Sequence, residues 1–295
     1  MTEFDLRLRA VVPAPVKVTY EALTDPAALR AWLAEHAEVD LPGTYTFWGR
    51  YAPDGAEPHQ RVLHADEHTI RLAWTLGGVE TTAQFELEED EDGTLVTLSQ
   101  SDLPSFEEVL SDRAGARGEL QTFWTLSIAN LADYLAGRTL TPKCDYTSRE
   151  LRASIVIDAA PDDVFDSMTR AEHFRRWSGV NIDIEPYVGG RFAMGGFELN
   201  PGGAKFVEFD PGRGATIEFA DGMTERWELE GTGGRTRLTV MHSGFDPENP
   251  PYPGWAGWLS GSAALRRYHE LPVWRSIWRE MHIAGIPEGM FTFDA

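Results

Sequence analysis

One histidine stands where a side chain could do chemistry. In residues 236–243, apolar Leu238 and Val240 alternate with Arg237, Thr239 and Met241, so a strand puts His242 on the apolar face near its end. A polar group on an otherwise apolar concave face is how small-molecule cavities orient an apolar ligand. An imidazole there could also exchange a proton with a substrate in reach. An earlier stretch places Gln100 in the same phase behind Val96 and Leu98. The residues expected to line a cavity with His242 are Trp177, Phe192, Met194, Phe219, Trp227 and Trp258. Bulky rings also fill the space between sheets and helices, so each of these has a plain packing role as its alternative. No catalytic residue is assigned.

The other chemistry-like clusters fail on spacing or context. His64 and His68 would share a face only on a helix, and their segment reads as a turn between strands, so no zinc site is expected. The acidic run 86–92 before Gly93 lacks the carboxylate that would close a calcium loop at Ser99, and reads as a hairpin tip. Gly189–Gly196 has no Lys-Ser/Thr after it and opens no helix in the sequence pattern, which excludes a phosphate loop. No Gly-x-Ser-x-Gly elbow occurs. The single cysteine, Cys144, excludes an internal disulfide and reads as a structural thiol. Neither a metal nor a cofactor is expected.

The elements that must position these residues occur twice. Ala10, Tyr20, Thr24 and Trp32 in the first half meet Ile155, Phe165, Thr169 and Trp177 in the second at nearly one offset. Phe85 and Leu87 meet Trp227 and Leu229, and Trp124, Leu131 and Tyr134 meet Trp258, Leu265 and Tyr268. The order is the same in both halves, which is a tandem duplication rather than a solenoid. Each copy opens with an alternating strand. Two short helices follow, begun near Ala14-Pro15 and Ala160-Pro161, then several strands joined by glycine-rich tips, and a long helix closes the copy. The predicted fold class is α+β, an antiparallel sheet wrapped around its C-terminal helix. The domains are read as 1–138 and 149–295, joined by a connector at 139–148. Beyond the repeat, 272–295 carries Val273, Trp274, Ile277, Trp278 and Met281 at helical spacing. Such an amphipathic extension docks on its own chain, on a second copy in a homodimer or on a protein partner.

This element order, with Ala160-Pro161, Val164-Phe165, Met168-Thr169 and Trp177, resembles the helix-grip, START-like SRPBCC superfamily. Within it, Gly189-Gly190-Arg191-Phe192, the segment from Thr236 to Phe245 and Gly257-Trp258 resemble bacterial relatives of the C-terminal domain of the heat-shock protein 90 ATPase activator. The resemblance implies two tandem helix-grip domains. Its members include lipid carriers and polyketide cyclases, so it implies a fold more than a function.

Composition narrows the partners. The 295 residues carry 26 Lys and Arg against 47 Asp and Glu, a net charge of −21. That balance argues against nucleic acid and against an anionic membrane surface. No apolar run is long enough to insert in a bilayer, and the N-terminus lacks a signal-peptide core, so a cytoplasmic protein is expected. The expected function is binding of a hydrophobic small molecule in a helix-grip cavity. The alternatives are a cyclase- or hydrolase-type enzyme using the same cavity and a chaperone- or partner-interacting protein. Small residues Gly257, Gly261, Ala263 and Ala264 in the last helix point to the second copy as the open one and the first as the packed scaffold.

Overall fold

The structure, a computed structural model, describes residues 4–104, 108, 114–286 and 289–293. Leu6, Leu8 and Ala10 alternate with Arg7 and Arg9, and this period of two makes β1 (Leu6–Val12). Helix α1 (Val16–Thr24) follows Pro15, and α2 (Pro26–Trp32) begins with a proline where no N–H is needed. The Asp25 carboxylate caps α2, accepting from the amides of Ala27 and Ala28. Then come β2 (His36–Asp40), β3 (Thr44–Trp48), β4 (Gln60–Ala65), β5 (Thr69–Leu76), β6 (Val79–Asp90) and β7 (Gly93–Gln100). A 3-10 turn (Gly115–Glu119) leads into the long α3 (Leu120–Leu135).

The second copy repeats this order as β8 (Leu151–Ile157), α4 (Pro161–Thr169), α5 (Ala171–Ser178), β9 (Ile182–Ile184) and β10 (Arg191–Met194). It continues with the one-turn α6 (Gly196–Leu199), β11 (Ala204–Asp210), β12 (Gly214–Glu218), β13 (Thr224–Thr232), β14 (Arg235–Ser243) and α7 (Tyr252–Glu270). A last strand, β15 (Trp278–Ile283), lies beyond the repeat. The matched residues do matched work. Trp32 donates its indole N–H to the Ala22 carbonyl at 3.0 Å, and Trp177 donates to Ser167 at 2.8 Å. Thr24 and Thr169 each turn their hydroxyl back to the carbonyl four residues earlier, both at 2.8 Å. The two indole bonds tie the short helices of each copy together, and the two hydroxyl bonds close the last turn of the first helix in each.

Both large sheets are antiparallel. The first runs β15-β1-β7-β6-β5-β4 and the second β8-β14-β13-β12-β11-β10-β9, with β2 and β3 pairing separately. This is the α+β, sheet-and-helix architecture that the pattern predicts. The tip between β6 and β7 is the acidic hairpin, where a Cβ on Gly93 would meet the Val12 carbonyl oxygen at 2.2 Å, so only glycine fits.

The C-terminal stretch departs from its sequence pattern. It reads as helical, yet residues 278–283 form a strand that pairs antiparallel with β1, Leu6 opposite Ile283 and Leu8 opposite Met281. A register irregularity between Arg9 and Ala10 then places Trp278 opposite Ala10. That slip produces the spacing 278, 281, 283, and a step of three imitates a helical stripe. The extension therefore docks on its own chain; residues 287, 288, 294 and 295 lie outside the described residues.

The chain forms two compact units. One comprises residues 1–147, 252–260 and 277–286, the other 148–251, 261–276 and 287–295. The 139–148 stretch is bound to the first unit over much of its length. Asn130 holds the backbone of Thr141 by two bonds, and the Lys143 ammonium donates to the carbonyls of Arg30 and Ala34 at the end of α2. Cys144 is a buried free thiol whose ionisation burial suppresses. Among the described residues, no helix is long and apolar enough to cross a membrane.

Candidate functional site

Strand phase brings a carboxylate to the histidine. On β13, Glu225, Trp227 and Leu229 face inward, and on β14, Leu238, Val240 and His242 do so. The register sets Glu225 directly opposite His242, Trp227 opposite Val240 and Leu229 opposite Leu238. On either side of the pair stand apolar residues, Ile217 next to Glu225 and Leu151 next to His242. Glu225 is 0% exposed and His242 6%. His242 Nε2 lies 3.2 Å from Glu225 Oε2, and the Trp227 indole N–H donates to Glu225 Oε1.

Burial raises the Glu225 carboxyl above its ordinary value, because a charge there loses its hydration. His242 and the Trp227 donor oppose that shift by favouring the ionised form. The arrangement can hold one proton between a carboxylate and an imidazole, in apolar surroundings, with the carboxylate orientation fixed by an indole. That is an acid–base pair, and also a hydrogen-bonding anchor for a ligand's polar group.

Around the pair lies an aromatic floor. Phe192 meets Trp227 with centroids 5.7 Å apart, and Phe206 meets Trp227 at 6.3 Å and Phe192 at 6.1 Å, all edge to face. Such pairs contribute roughly 0.5–1.5 kcal/mol each beyond their area burial. Phe174 joins Phe192 at 5.7 Å and Trp177 at 4.5 Å. Trp177, Phe192, Trp227 and His242 are thus all buried in the second unit, as the phase argument requires.

Three of the expected lining residues lie elsewhere. Met194 is 42% exposed, because β10 ends there and Gly195, at φ +83°, turns the chain away into α6. Phe219 keeps the phase of Ala215 and Ile217 but stands one residue beyond β12, half-buried in a turn where its amide donates to the Met223 carbonyl. Trp258 is buried on α7, in the segment that is compact with the first unit. The small residues of α7 do not leave free space at the two glycines. A Cβ on Gly261 would touch the Trp177 ring at 3.5 Å, and one on Gly257 the Thr122 methyl at 3.6 Å. The glycine-rich segment does open a helix, the one-turn α6, but its Phe197 amide is already capped by the Asp183 carboxylate.

Glu225 is the residue that the sequence reading passed over. Its signal was present, since Glu225 shares the phase of Trp227 and Leu229, but an acidic residue in a strand is ordinarily taken as solvent-facing. His64, near the end of β4, and Asp66 just beyond it pair at 2.9 Å where both side chains are exposed, and among the described residues no group of three His, Cys, Asp or Glu could hold a metal.

The first unit has a different arrangement at the same register. Ala83 stands opposite Gln100, where the second unit has Glu225 opposite His242. The Trp124 indole of α3 donates to Gln100 Oε1 at 3.0 Å, Gln100 Nε2 donates to the Thr81 hydroxyl at 2.9 Å, and that hydroxyl donates to the Trp74 carbonyl at 2.8 Å. The network is neutral and complete. A small crevice of about 10 Å3 elsewhere in this unit, between Trp32, Phe123, Asn130 and Tyr146, is the size of one water.

The model of the family described as activator of Hsp90 ATPase homolog 1-like protein matches residues 13–136 and again 158–268, well over half of the chain. The chain belongs to that family. Its two matched segments are the two copies, and the helix-grip, START-like fold of the activator-like family accounts for their shared element order. No curated protein matches the chain in sequence. Among solved structures, DynU16 from the dynemicin biosynthetic locus is 19% identical, with 90% of this chain and 99% of that one covered and a TM-score of 0.37. CalU16 from Micromonospora echinospora is 22% identical over 45% of this chain and 73% of its own, at a TM-score of 0.34. The Aha1 dimer from Colwellia psychrerythraea is 20% identical over 41% of this chain and 96% of that one, at 0.36.

Proposed function

We propose that this protein binds a hydrophobic small molecule, and that the second unit is the half that binds it. The supporting observation is the Glu225–His242 pair, two ionisable groups buried among Ile217, Leu151 and Trp227 where the sister unit has Ala83 and Gln100 in a closed neutral network. A fold that can be completed without the pair does not need it for packing. Burying two ionisable groups in apolar surroundings costs stability, which favours a role in recognition over one in packing. The ligand is flat and mostly apolar with one hydrogen-bonding group, since it exchanges edge-to-face contacts with Phe192, Phe206 and Trp227 and meets the pair with its polar end. Entry requires these rings to part. A cytoplasmic ligand carrier fits the acidic surface, which disfavours nucleic acid and anionic lipid.

The test is a thermal-shift and tryptophan-fluorescence titration with 2-naphthol, alongside native mass spectrometry of the purified protein for a co-purified small molecule. Saturable binding of 2-naphthol that weakens about tenfold in His242→Leu, the loss of roughly one buried polar contact, supports the reading. Absence of saturable binding together with an empty mass spectrum overturns it.

A further inference from the structure

The four ends of the two large sheets are not alike. β15, which closes the first sheet, carries Arg279, Glu280 and His282, and β4 at the other end is broken by a register irregularity between Val62 and His64. In the second sheet β9 is only three residues long, and Phe291 is bridged to Val180 just before it. Charge, irregularity, shortness and cover are the ordinary ways of keeping a sheet edge from pairing with another chain. β8 has none of these beyond a single arginine. Its seven residues, Leu151 to Ile157, run in unbroken register with β14, include no proline and no acid, and among the described residues pair with β14 alone. The sister strand shows what such an edge accepts. β1 opens with Leu6-Arg7 as β8 opens with Leu151-Arg152, and it takes β15 antiparallel along its outer side. At matched positions Val11, beside that cover, is 8% exposed, and Val156 is 41% exposed.

We propose that β8 pairs with β8 of a second copy of this chain, antiparallel about a two-fold axis, joining two seven-stranded sheets into one. A two-fold interface is self-complementary, so the strand must fit its own reverse. Inward and outward residues keep their faces only in registers that put a residue on the axis. With Ile155 there, the outward Arg152 stands opposite Asp158 of the second copy, and symmetry repeats that unlike pair on the other side of the axis. Ser154 then faces the exposed Val156, and inward Ala153 faces Ile157, small against large. An axis at Ser154 would set Glu150 against Asp158, and one at Ala153 would give Arg152 no acidic partner, so charge selects Ile155. The Arg152 and Asp158 side chains are 51% and 65% exposed, and their ion-pair partners Glu228 and Arg235 stand at 3.9 and 3.8 Å, loose enough to exchange. In a chain of net charge −21, β8 carries one positive charge and no negative one, so two copies repel least there. Strands of seven residues make a small interface, and the dimer is therefore a weak one that forms as concentration rises.

The test is sedimentation of the full chain over roughly a hundredfold range of concentration, with charge reversals at the two exposed residues. The wild-type chain should pass from monomer to dimer. Arg152→Asp and Asp158→Arg should each raise the dimer dissociation constant about tenfold, since each turns two unlike cross-strand pairs into like ones. These two reversals shift the net charge in opposite directions, so a common weakening reports the pairing and not the overall charge. The exchanged variant, Arg152→Asp/Asp158→Arg, should return the constant to within about threefold of the wild-type value, a recovery that damage to the fold cannot give. A chain that stays monomeric throughout overturns the proposal, as does a dimer indifferent to both reversals, which would be built on another surface such as residues 272–295. Protection of the outer amides of β8 from hydrogen exchange in a monomeric chain would assign the edge to a strand of its own chain and overturn it equally.

Discussion

At one register position the two copies of this chain have taken opposite routes. The first places Ala83 across from Gln100 and closes every polar atom of the amide with Trp124 and Thr81. The second places Glu225 across from His242, two buried ionisable groups 3.2 Å apart. The two copies share their element order and the Trp32 and Trp177 clamps, although β2 and β3 pair apart from the main sheet in the first while β9 and β10 belong to it in the second. At this register position the strand pairing is the same and the side chains differ. A closed neutral network stabilises one structure at any pH, whereas an ionisable pair in an apolar cup holds a proton available at a cost in stability. The sheet edges differ too, since β1 is covered by β15 while, among the described residues, β8 pairs with β14 alone.

The largest test of this contrast is removal of residues 277–295. It strips the first sheet of its edge strand and of buried Trp278, and should lower the melting temperature of the first unit by 10 °C or more, on the order of the 3–5 kcal/mol of a lost core tryptophan. An unchanged melting curve would show that the two edges are equivalent after all. Next comes the pair itself. Glu225→Met should destabilise by roughly 3 kcal/mol, because it strands His242 and the Trp227 donor, and adding His242→Leu should recover part of that loss. Gln100→Leu in the first unit should cost about 2 kcal/mol with no second-site recovery. Chemical denaturation of each variant measures the coupling, and purely additive losses at Glu225 and His242 would dissolve the distinction.

A smaller effect is expected at Glu119, whose carboxyl burial pushes up to about 8. A carboxyl raised on folding binds more protons in the native state between pH 4.5 and 8, so its contribution to stability is lost as pH rises through that window. Glu119→Gln should therefore raise the melting temperature at pH 8 and leave it nearly unchanged at pH 4.5. The smallest concerns Tyr45, aligned with Phe192. Its hydroxyl is buried without a hydrogen-bond partner, so Tyr45→Phe should be neutral or stabilising by up to about 1 kcal/mol. A clear destabilisation would mean that the Tyr45 hydroxyl has a partner after all.

Much of the fold was legible because the repeat supplied two independent readings of each element. Where Phe165 and Thr169 restated Tyr20 and Thr24, an ambiguous short helix became a definite one. Strand phase then placed His242, Trp227 and Phe192 inside, since alternation carries directly into the sheet. It failed at Met194, where a glycine pair ended the strand, and at Phe219, where the inward face ran out one residue earlier. Glu225 was hidden by its charge rather than by its position. The C-terminal strand was hidden by a register slip, which no periodicity within 278–283 reveals because its cause lies in β1. The space beside Gly261 was misread as vacant because Trp177, which fills it, lies far away in sequence.

The pairing of Leu6 with Ile283 also sets a timetable for synthesis. A ribosome releases the N-terminal half early, with β1, β7 and α3 all available to fold. Yet the strand that covers the edge of β1 is made only after the whole second copy. At about 5–20 residues per second, the nascent first unit waits on the order of 10 s or longer with an open edge. During that interval the edge is a template for any other extended chain. Charged Arg7 and Arg9 on that edge, and the acidity of the chain behind it, then oppose its pairing with another chain until β15 arrives to close the sheet.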